Sequence, residues 1–208
     1  LEETFDNLLS KRGLRLRDDI IIDPISSFFG DVASPLVNNY SFSQITKDLG
    51  GLATFYPLAR SVEKLAEAPE GLRIVLLAQT SQESWGETNL QQKTVQYDKD
   101  QDTKGPLAIA ASVEGGETKA RLVVFGDSDF VTNGLLNSVR GFGNVDLFLN
   151  TVNWLAEEEE LISIRPKTPD TRQIVLTPPQ MRLILYSSAG FLPLVILVIG
   201  AIVWWQRR

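Results

Sequence analysis

The hydrophobic pattern divides the sequence into a region of short apolar runs and a final, continuous apolar stretch. In residues 1–166 the runs have the length of strands and are bounded by glycine, proline or polar residues. Residues 26–40 are rich in turn formers and are predicted to be irregular, and 91–104 are predicted to be a polar surface excursion. The predicted strands are residues 14–17, 20–22, 52–57, 72–78, 107–113, 121–125 and 161–165.

Two segments have the spacing of amphipathic helices, residues 4–12 and 144–156. Residues 43–49 are predicted to form one helical turn, and 61–68 a short helix or a charged connection. In the first helix the apolar face is Phe5, Leu8 and Leu9. In the second, Asn144 is the predicted N-cap, and the predicted core face is broadened by Trp154 and otherwise consists of Val145, Phe148, Leu149, Val152 and Leu155.

Apolar strands that alternate with helices predict an α/β fold with a mixed, partly parallel sheet and flanking helices. The two runs joined through Gly115-Gly116 predict a hairpin, which adds antiparallel character.

The final stretch predicts a transmembrane helix. No charged residue occurs from Leu183 to Trp205, and about 20 apolar residues suffice to cross a bilayer. Thr177-Pro178-Pro179-Gln180 has the form of a capping box, and Trp204-Trp205 fits an aromatic belt. We therefore divide the chain into an α/β domain (1–166), a tether (167–176), a transmembrane helix (177–206) and a tail (207–208).

The transmembrane helix carries one patch that a simple anchor does not require. Small residues let membrane helices approach closely, and Pro193, which follows the patch, predicts a kink near Ala189. A simple anchor is the alternative, because small residues are common in membrane helices. The candidate contacts with a partner helix are Ser187, Ser188, Ala189 and Gly190.

Composition excludes several classes of chemistry. The chain has no cysteine and no histidine, which excludes disulfides, thiol nucleophiles, Ser-His catalysis and the commonest transition-metal ligand. Its net charge of −6 argues against nucleic acid as a partner. No Walker A loop and no cofactor motif occurs. The sequence begins with Leu1 and has no visible signal peptide, so we expect an upstream portion that carries an export signal.

The segment with the most chemical character is Gly126-Asp127-Ser128-Asp129-Phe130, which follows the apolar run 121–125. Ligands gather at the carboxyl ends of strands in open α/β sheets, and oxygen ligands suit Mg²⁺ or Ca²⁺. Asp127, Ser128 and Asp129 are therefore candidates for a ligand or metal site. The alternatives are a turn whose carboxylates bind backbone amides, and a catalytic serine, which would lack a histidine base.

A second polar loop, residues 80–88 (TSQESWGET), follows the run 72–78. A helical turn there would place Glu83 and Glu87 on one face, where paired carboxylates can act as acid and base. The alternative is a solvated loop with Trp85 packed beneath it.

Several stretches occur together in an ordered set. They are LLSKRGLRLRDDIIIDP, YPLAR, TSQESWGET, RLVVFGDSDFVTN, NVDLFLNTVNWLAEEEELISIRPK and the LT-x-x-Q opening of the final helix. This set resembles the C-terminal region of the GldG-type family of auxiliary ABC transport proteins, over nearly the whole chain. The sequence departs from the family at residues 42–46, which read Phe-Ser-Gln-Ile-Thr where a His-Pro-Ile-Thr-like stretch is expected.

The resemblance implies an extracytoplasmic α/β domain, one span in the bacterial inner membrane, and an ABC permease and a separate ATPase as partners. It carries no catalytic residue to this chain. We expect a non-catalytic auxiliary subunit of an export or gliding-motility-like complex. Two alternatives remain: a metal-dependent hydrolase that uses Asp127 and Asp129, and a membrane-anchored envelope-binding module.

Overall fold

The fold is described from a computed structural model of the 208-residue chain. The structure describes residues 2–90, 95–116, 120–138, 141–157 and 178–207. The predicted strand 161–165, the predicted tether 167–176, Thr177 of the predicted cap and Arg208 of the predicted tail lie outside the described residues.

The predicted strands and the two predicted helices within the described residues are confirmed, with shifted ends. The helices are α1 (Glu2–Ser10), α2 (Asn133–Ser138) and α3 (Asn144–Leu155), and a 3₁₀ turn covers Asp129–Val131. The strands are β1 (Leu14–Leu16), β2 (Ile20–Ile22), β3 (Ser27–Phe28), β4 (Asp31–Val37), β5 (Asn39–Tyr40), β6 (Thr54–Phe55), β7 (Val62–Lys64), β8 (Leu72–Gln79), β9 (Trp85–Glu87), β10 (Thr103–Lys104), β11 (Ala108–Gly115) and β12 (Leu122–Phe125).

Two segments fold differently from the prediction. Residues 26–40, predicted to be irregular, contain β3, β4 and β5, and residues 61–68 contain β7. The turn formers that obscured the first segment have specific places in it. Gly30 lies at the tip of the hairpin between β3 and β4, and Pro35 lies within β4, where its carbonyl oxygen accepts a hydrogen bond from the Tyr56 N–H at 3.2 Å.

The main sheet has six strands in the order β1-β7-β11-β8-β5, with β12 also paired to β11. Every strand pairing among the described residues is antiparallel, so the predicted partly parallel sheet is wrong. Strands β7 and β8 flank β11 and run in the same direction, but they do not pair. Residues 65–71 between them are too few for the crossover of about a dozen residues that a parallel pair needs. The predicted hairpin between β11 and β12 is confirmed.

Strand β11 is buried along residues 108–113 and contributes to two apolar cores. Leu9 of α1 packs in the first core, with Leu14, Val62, Ala111, Val113 and Val124. Leu147 and Trp154 of α3 pack in the second, with Tyr56, Leu77, Ile109 and Phe130 among others. The main sheet therefore lies between α1 and α3.

Helix α3 buries a different face from the predicted one. The buried residues are Asn144, Leu147, Asn150, Thr151 and Trp154, whereas the predicted core residues Val145, Phe148, Leu149, Val152 and Leu155 are each about 40% exposed. The prediction of Asn144 as N-cap is also wrong, because Gly143 takes that place. The Asn144 amide instead makes three hydrogen bonds, with Phe55 N (3.0 Å), Phe55 O (2.8 Å) and Phe130 O (2.8 Å). Buried backbone groups of neighbouring segments thus determine which side of the helix faces inward.

The C-terminal residues form one apolar helix, long enough to cross a membrane from Pro179 to Gln206 and unburied along its apolar window. It consists of α4 (Pro178–Leu185), a π-helical segment (Tyr186–Phe191) and α5 (Leu192–Gln206). The π-helical segment contains Ala189, near which the sequence predicts a kink, and the kink itself stays a prediction.

Candidate functional site

The Gly126–Phe130 loop, which follows β12, is fixed to a neighbouring segment by backbone contacts. The Gly126 N–H donates to Ile109 O at 2.8 Å, and its carbonyl oxygen accepts from the Arg60 N–H at 2.8 Å. A Cβ at this position would collide with the carbonyl oxygen of Arg60, so the close approach requires glycine. The loop therefore begins at a fixed point beside the 56–60 segment.

Asp127 is the buried carboxylate of this loop, with 8% of its surface exposed. Its Oδ1 accepts a hydrogen bond from the Asp129 N–H at 2.6 Å, which is the bond that the turn interpretation requires. Its Oδ2 is buried without a hydrogen-bond partner among the described residues. Burial raises the pKa of Asp127 to about 6, because a desolvated carboxylate favours its neutral form.

The other two candidates in the loop face solvent. Ser128 and Asp129 are exposed, and the Asp129 carbonyl oxygen accepts from the Thr132 N–H at 3.0 Å. No group of three metal-ligating side chains occurs among the described residues. A metal bound by Asp127 and Asp129 would therefore need further oxygen ligands from water or backbone, and the metal and hydrolase interpretations stay predictions.

A second buried polar atom lies close to the same loop. Tyr56 is fully buried, its ring lies 5.6 Å from that of Phe130, and its hydroxyl has no hydrogen-bond partner within the described part of the chain. Burial raises the pKa of Tyr56 strongly, and the Asp127 carboxylate adds to the shift. The phenol is therefore neutral at physiological pH.

The carboxylates of the 80–88 loop do not act as a pair. Residues 85–87 form β9 rather than a helical turn, and the two side chains take separate partners. Glu83 is exposed and pairs with Lys104 at 3.2 Å. Glu87 is buried; it accepts from the Asn89 N–H at 3.0 Å and from the Trp85 indole N–H at 3.3 Å. The acid–base prediction for these residues therefore has no geometric support.

Sequence reasoning missed a groove of about 810 Å³ beside α1 and β1. Strand β1 is an edge strand of the main sheet, so one side of its backbone is open to the groove. The lining is polar and charged apart from three leucines. Its residues are Asp6, Asn7, Ser10, Leu14, Arg15, Leu16, Arg17, Asp18, Asp19, Arg60, Leu65 and Thr88.

Most charges of this groove are paired with one another. Arg17 lies 3.2 Å from Glu63 and 3.6 Å from the buried Asp19, and Arg60 lies 3.4 Å from Asp18. Arg15 is exposed and has no ion-pair partner among the described residues. Charged side chains held in this way can form hydrogen bonds with a polar ligand. The alternating charges of Arg15-Leu16-Arg17-Asp18 were the signal in the sequence that could have revealed it.

The patch Ser187–Gly190 lies within the π-helical segment. Both serines bond within their own helix: the hydroxyl groups of Ser187 and Ser188 donate to Ile184 O at 3.0 Å and 2.7 Å. The serine hydroxyl groups therefore bond to a carbonyl group of the preceding turn. What the patch would provide to another helix is the small size of its residues, which permits close approach, rather than hydrogen-bond donors.

The titration of Asp127 generates a stability prediction. Its pKa is about 6 in the folded protein, against 3.8 for an unperturbed aspartate, so the folded state binds the proton more tightly than the unfolded state does. Protonation of Asp127 therefore stabilises the fold below pH 4, and this stabilisation is lost as the pH rises through 6. Asp127→Asn retains the acceptor for the Asp129 N–H without the charge. We expect this variant to be more stable than the wild type at pH 8, by on the order of 1–3 kcal/mol, and equally stable near pH 4.

Chemical unfolding of the full chain in detergent, followed by tryptophan fluorescence, measures this difference. Asp129→Asn is the matched control, because Asp129 is exposed in the same loop, and we expect no comparable pH dependence. A loss of stability in Asp127→Asn at pH 8, with stabilisation of the wild type alone by Mg²⁺ or Ca²⁺, would contradict the turn interpretation and support a cation site.

Comparison with known proteins bears on the fold. No model of a known protein family matches the sequence, and no curated protein matches it. Among solved structures the chain is similar to one described as "mmIFT52 N-terminal domain", with a TM-score of 0.50 and 15% identity. The match covers 73% of this chain and 56% of that one, so this chain spans little more than half of that structure. At this identity the likeness supports the fold alone.

Proposed function

We propose that this chain is a non-catalytic auxiliary subunit of a bacterial ABC-type transport complex, of the export or gliding-motility-like kind. In this proposal an ABC permease and a separate ATPase are its partners. The folded domain lies outside the cytoplasm, and the C-terminal helix crosses the inner membrane with Arg207 on the cytoplasmic side. The identity of the complex rests on the resemblance of the ordered sequence stretches to the GldG-type family.

The observation that carries the proposal is the C-terminal helix. Its 28 residues from Pro179 to Gln206 have a mean hydropathy of 2.2 in their apolar window, and none of that window is buried. A helix this apolar is stable in a bilayer or against other apolar helices. This supports a protein whose folded domain works next to a membrane.

Several buried carboxylates in and near the candidate sites have structural roles. Glu87, Asp19 and Asp23 are buried and accept hydrogen bonds from backbone amides, which is a structural use of carboxylates. Ser128 has no histidine base available to it anywhere in the chain. A subunit that recognises a partner or substrate fits this distribution.

The groove beside α1 favours one second candidate, an envelope-binding module whose helix is only an anchor. Its paired charges suit a polar envelope component, as does Arg15, which has no ion-pair partner in the described part of the chain. The two candidates differ in whether the membrane helix has protein partners, and co-purification distinguishes them.

Co-purification with the permease tests the proposed function. The triple variant Ser188→Leu, Ala189→Leu and Gly190→Leu keeps the helix apolar but fills the space that close approach requires. We expect the wild type to co-purify in mild detergent with the permease and the ATPase. The triple variant should insert normally and lose most of the permease, by at least about tenfold, since small-residue contacts are sensitive to added volume.

The matched control changes Ile196, Ile199 and Ile202 to leucine. These side chains are exposed on the same helix, outside the patch. We expect wild-type co-purification from this control. Wild-type yield from the patch variant would show that the patch makes no contact. Failure of the wild type itself to retain either partner would contradict the proposed function and favour the anchor.

Orientation is tested by proteolysis. We expect protease added to intact spheroplasts to remove the domain, because residues 1–176 lie outside the cytoplasm in this proposal and an arginine pair follows the span. A cytoplasmic protein serves as the control for intact cells. Full protection of the domain, with digestion only after lysis, would reverse the orientation.

A further inference from the structure

Helix α3 has two apolar sides, and the described residues of the domain cover only one of them. Leu147 and Trp154 on the inner side are 0% and 6% exposed. The opposite side, which we name the free stripe, has exposures between 39% and 42%, and its members are Val145, Phe148, Leu149, Val152 and Leu155. Five such residues at helical spacing form a contiguous apolar surface of the kind that marks an interaction site.

Hydrogen bonds prevent the free stripe from turning inward. The Asn144 amide bonds the backbone of Phe55 and Phe130, and the Asn150 amide donates to Ile45 O at 3.0 Å. Rotation of the helix would break these bonds and leave buried backbone groups without partners. The exposure of the free stripe is therefore a consequence of the fold.

The spacing of the free stripe suits another helix. Its residues follow the i, i+3, i+4, i+7 and i+10 positions from Val145 to Leu155, the pattern by which one helix packs against another. Phe148 adds an aromatic anchor whose ring lies 6.4 Å from that of Phe130. An extended peptide would need free backbone groups, which the side of a helix does not offer.

Charge decides what kind of helix fits. Glu157 follows the last turn of α3 and the sequence continues with acidic residues to Glu160, whereas Asp146 in the first turn already has an interaction partner. In a parallel pair of α3 helices from two copies, these acidic C-terminal ends would meet each other. An anionic lipid surface would be repelled in the same way. A helix with basic borders has neither disadvantage.

We infer that the free stripe binds an amphipathic helix of another protein, whose apolar side is bordered by lysine or arginine. The inference rests on the proposed function in one respect: within a transport complex that helix belongs to another subunit.

The test uses the full chain in phosphatidylcholine nanodiscs and two synthetic helical peptides of about 18 residues, long enough to form helices. Both peptides carry leucine at the spacing of the free stripe. One carries lysine at the bordering positions and the other carries glutamate. We expect the lysine peptide to bind at least about tenfold more tightly than the glutamate peptide, after subtraction of binding to empty discs.

Variants of the stripe connect this binding to α3. The double variant Val145→Gln with Val152→Gln makes the stripe more polar. Glutamine is a better helix former than valine, so we expect loss of peptide binding with an unchanged melting temperature. Leu8→Gln is the matched control, because Leu8 is 50% exposed on α1, on the other side of the sheet, and it should bind as the wild type does. Glu157→Lys should reduce the preference for the lysine peptide.

Other occupants give other results, and each would overturn the inference. Equal binding of both peptides would show an apolar surface without charge selection. Binding of neither, with a lower melting temperature for the double variant, would show that the stripe is covered by the chain's own residues. A dimer that the double variant abolishes would identify a second copy. Peptide binding does not depend on the permease. Failure of the peptide to bind would therefore overturn this inference without deciding the co-purification test of the proposed function.

Discussion

The side-chain amide of Asn144 fixes how the parts of this domain fit together. It is 1% exposed and binds the backbone of Phe55 on one side and the carbonyl oxygen of Phe130 on the other. These bonds join α3 to β6 and to the turn that follows Asp127. They also set the rotation of α3, which places Leu147 and Trp154 in the core and leaves the free stripe outside. The candidate site and the proposed interaction surface thus depend on one buried amide.

The sequence predicted the elements better than their arrangement. The β11–β12 hairpin, helix α3 and the C-terminal helix follow from local pattern, because period and glycine position are local properties. Two larger predictions failed for non-local reasons. The spacing of apolar residues alone predicted the wrong face of α3. The buried face is determined by backbone groups of distant segments that need hydrogen-bond partners, and a local hydrophobic pattern contains no information on them. The partly parallel sheet was inferred from strands that alternate with helices, but β7 occupied a segment that resembled a charged helix.

The site residues show the same limit. The loop at Asp127 was identified from its position after a strand, but the burial that raises the pKa of Asp127 to about 6 is a property of the tertiary structure, which the loop sequence does not contain. The groove beside α1 was missed because its residues come from four separate segments. Under the proposed function the free stripe binds a partner helix and the C-terminal helix keeps the domain at the membrane, whereas the groove favours the second candidate, an envelope-binding module.

The most direct test of this account is the accessibility of two neighbouring positions of α3. The chain has no cysteine, so a single introduced thiol is measured without background. Thr151 is 3% exposed and Val152 is 42% exposed. In the full chain in nanodiscs, Val152→Cys should react with a thiol reagent at least about a hundredfold faster than Thr151→Cys, which must wait for local opening. Equal rates, or faster labelling of Thr151→Cys, would show that α3 faces inward with its apolar stripe and would contradict the account.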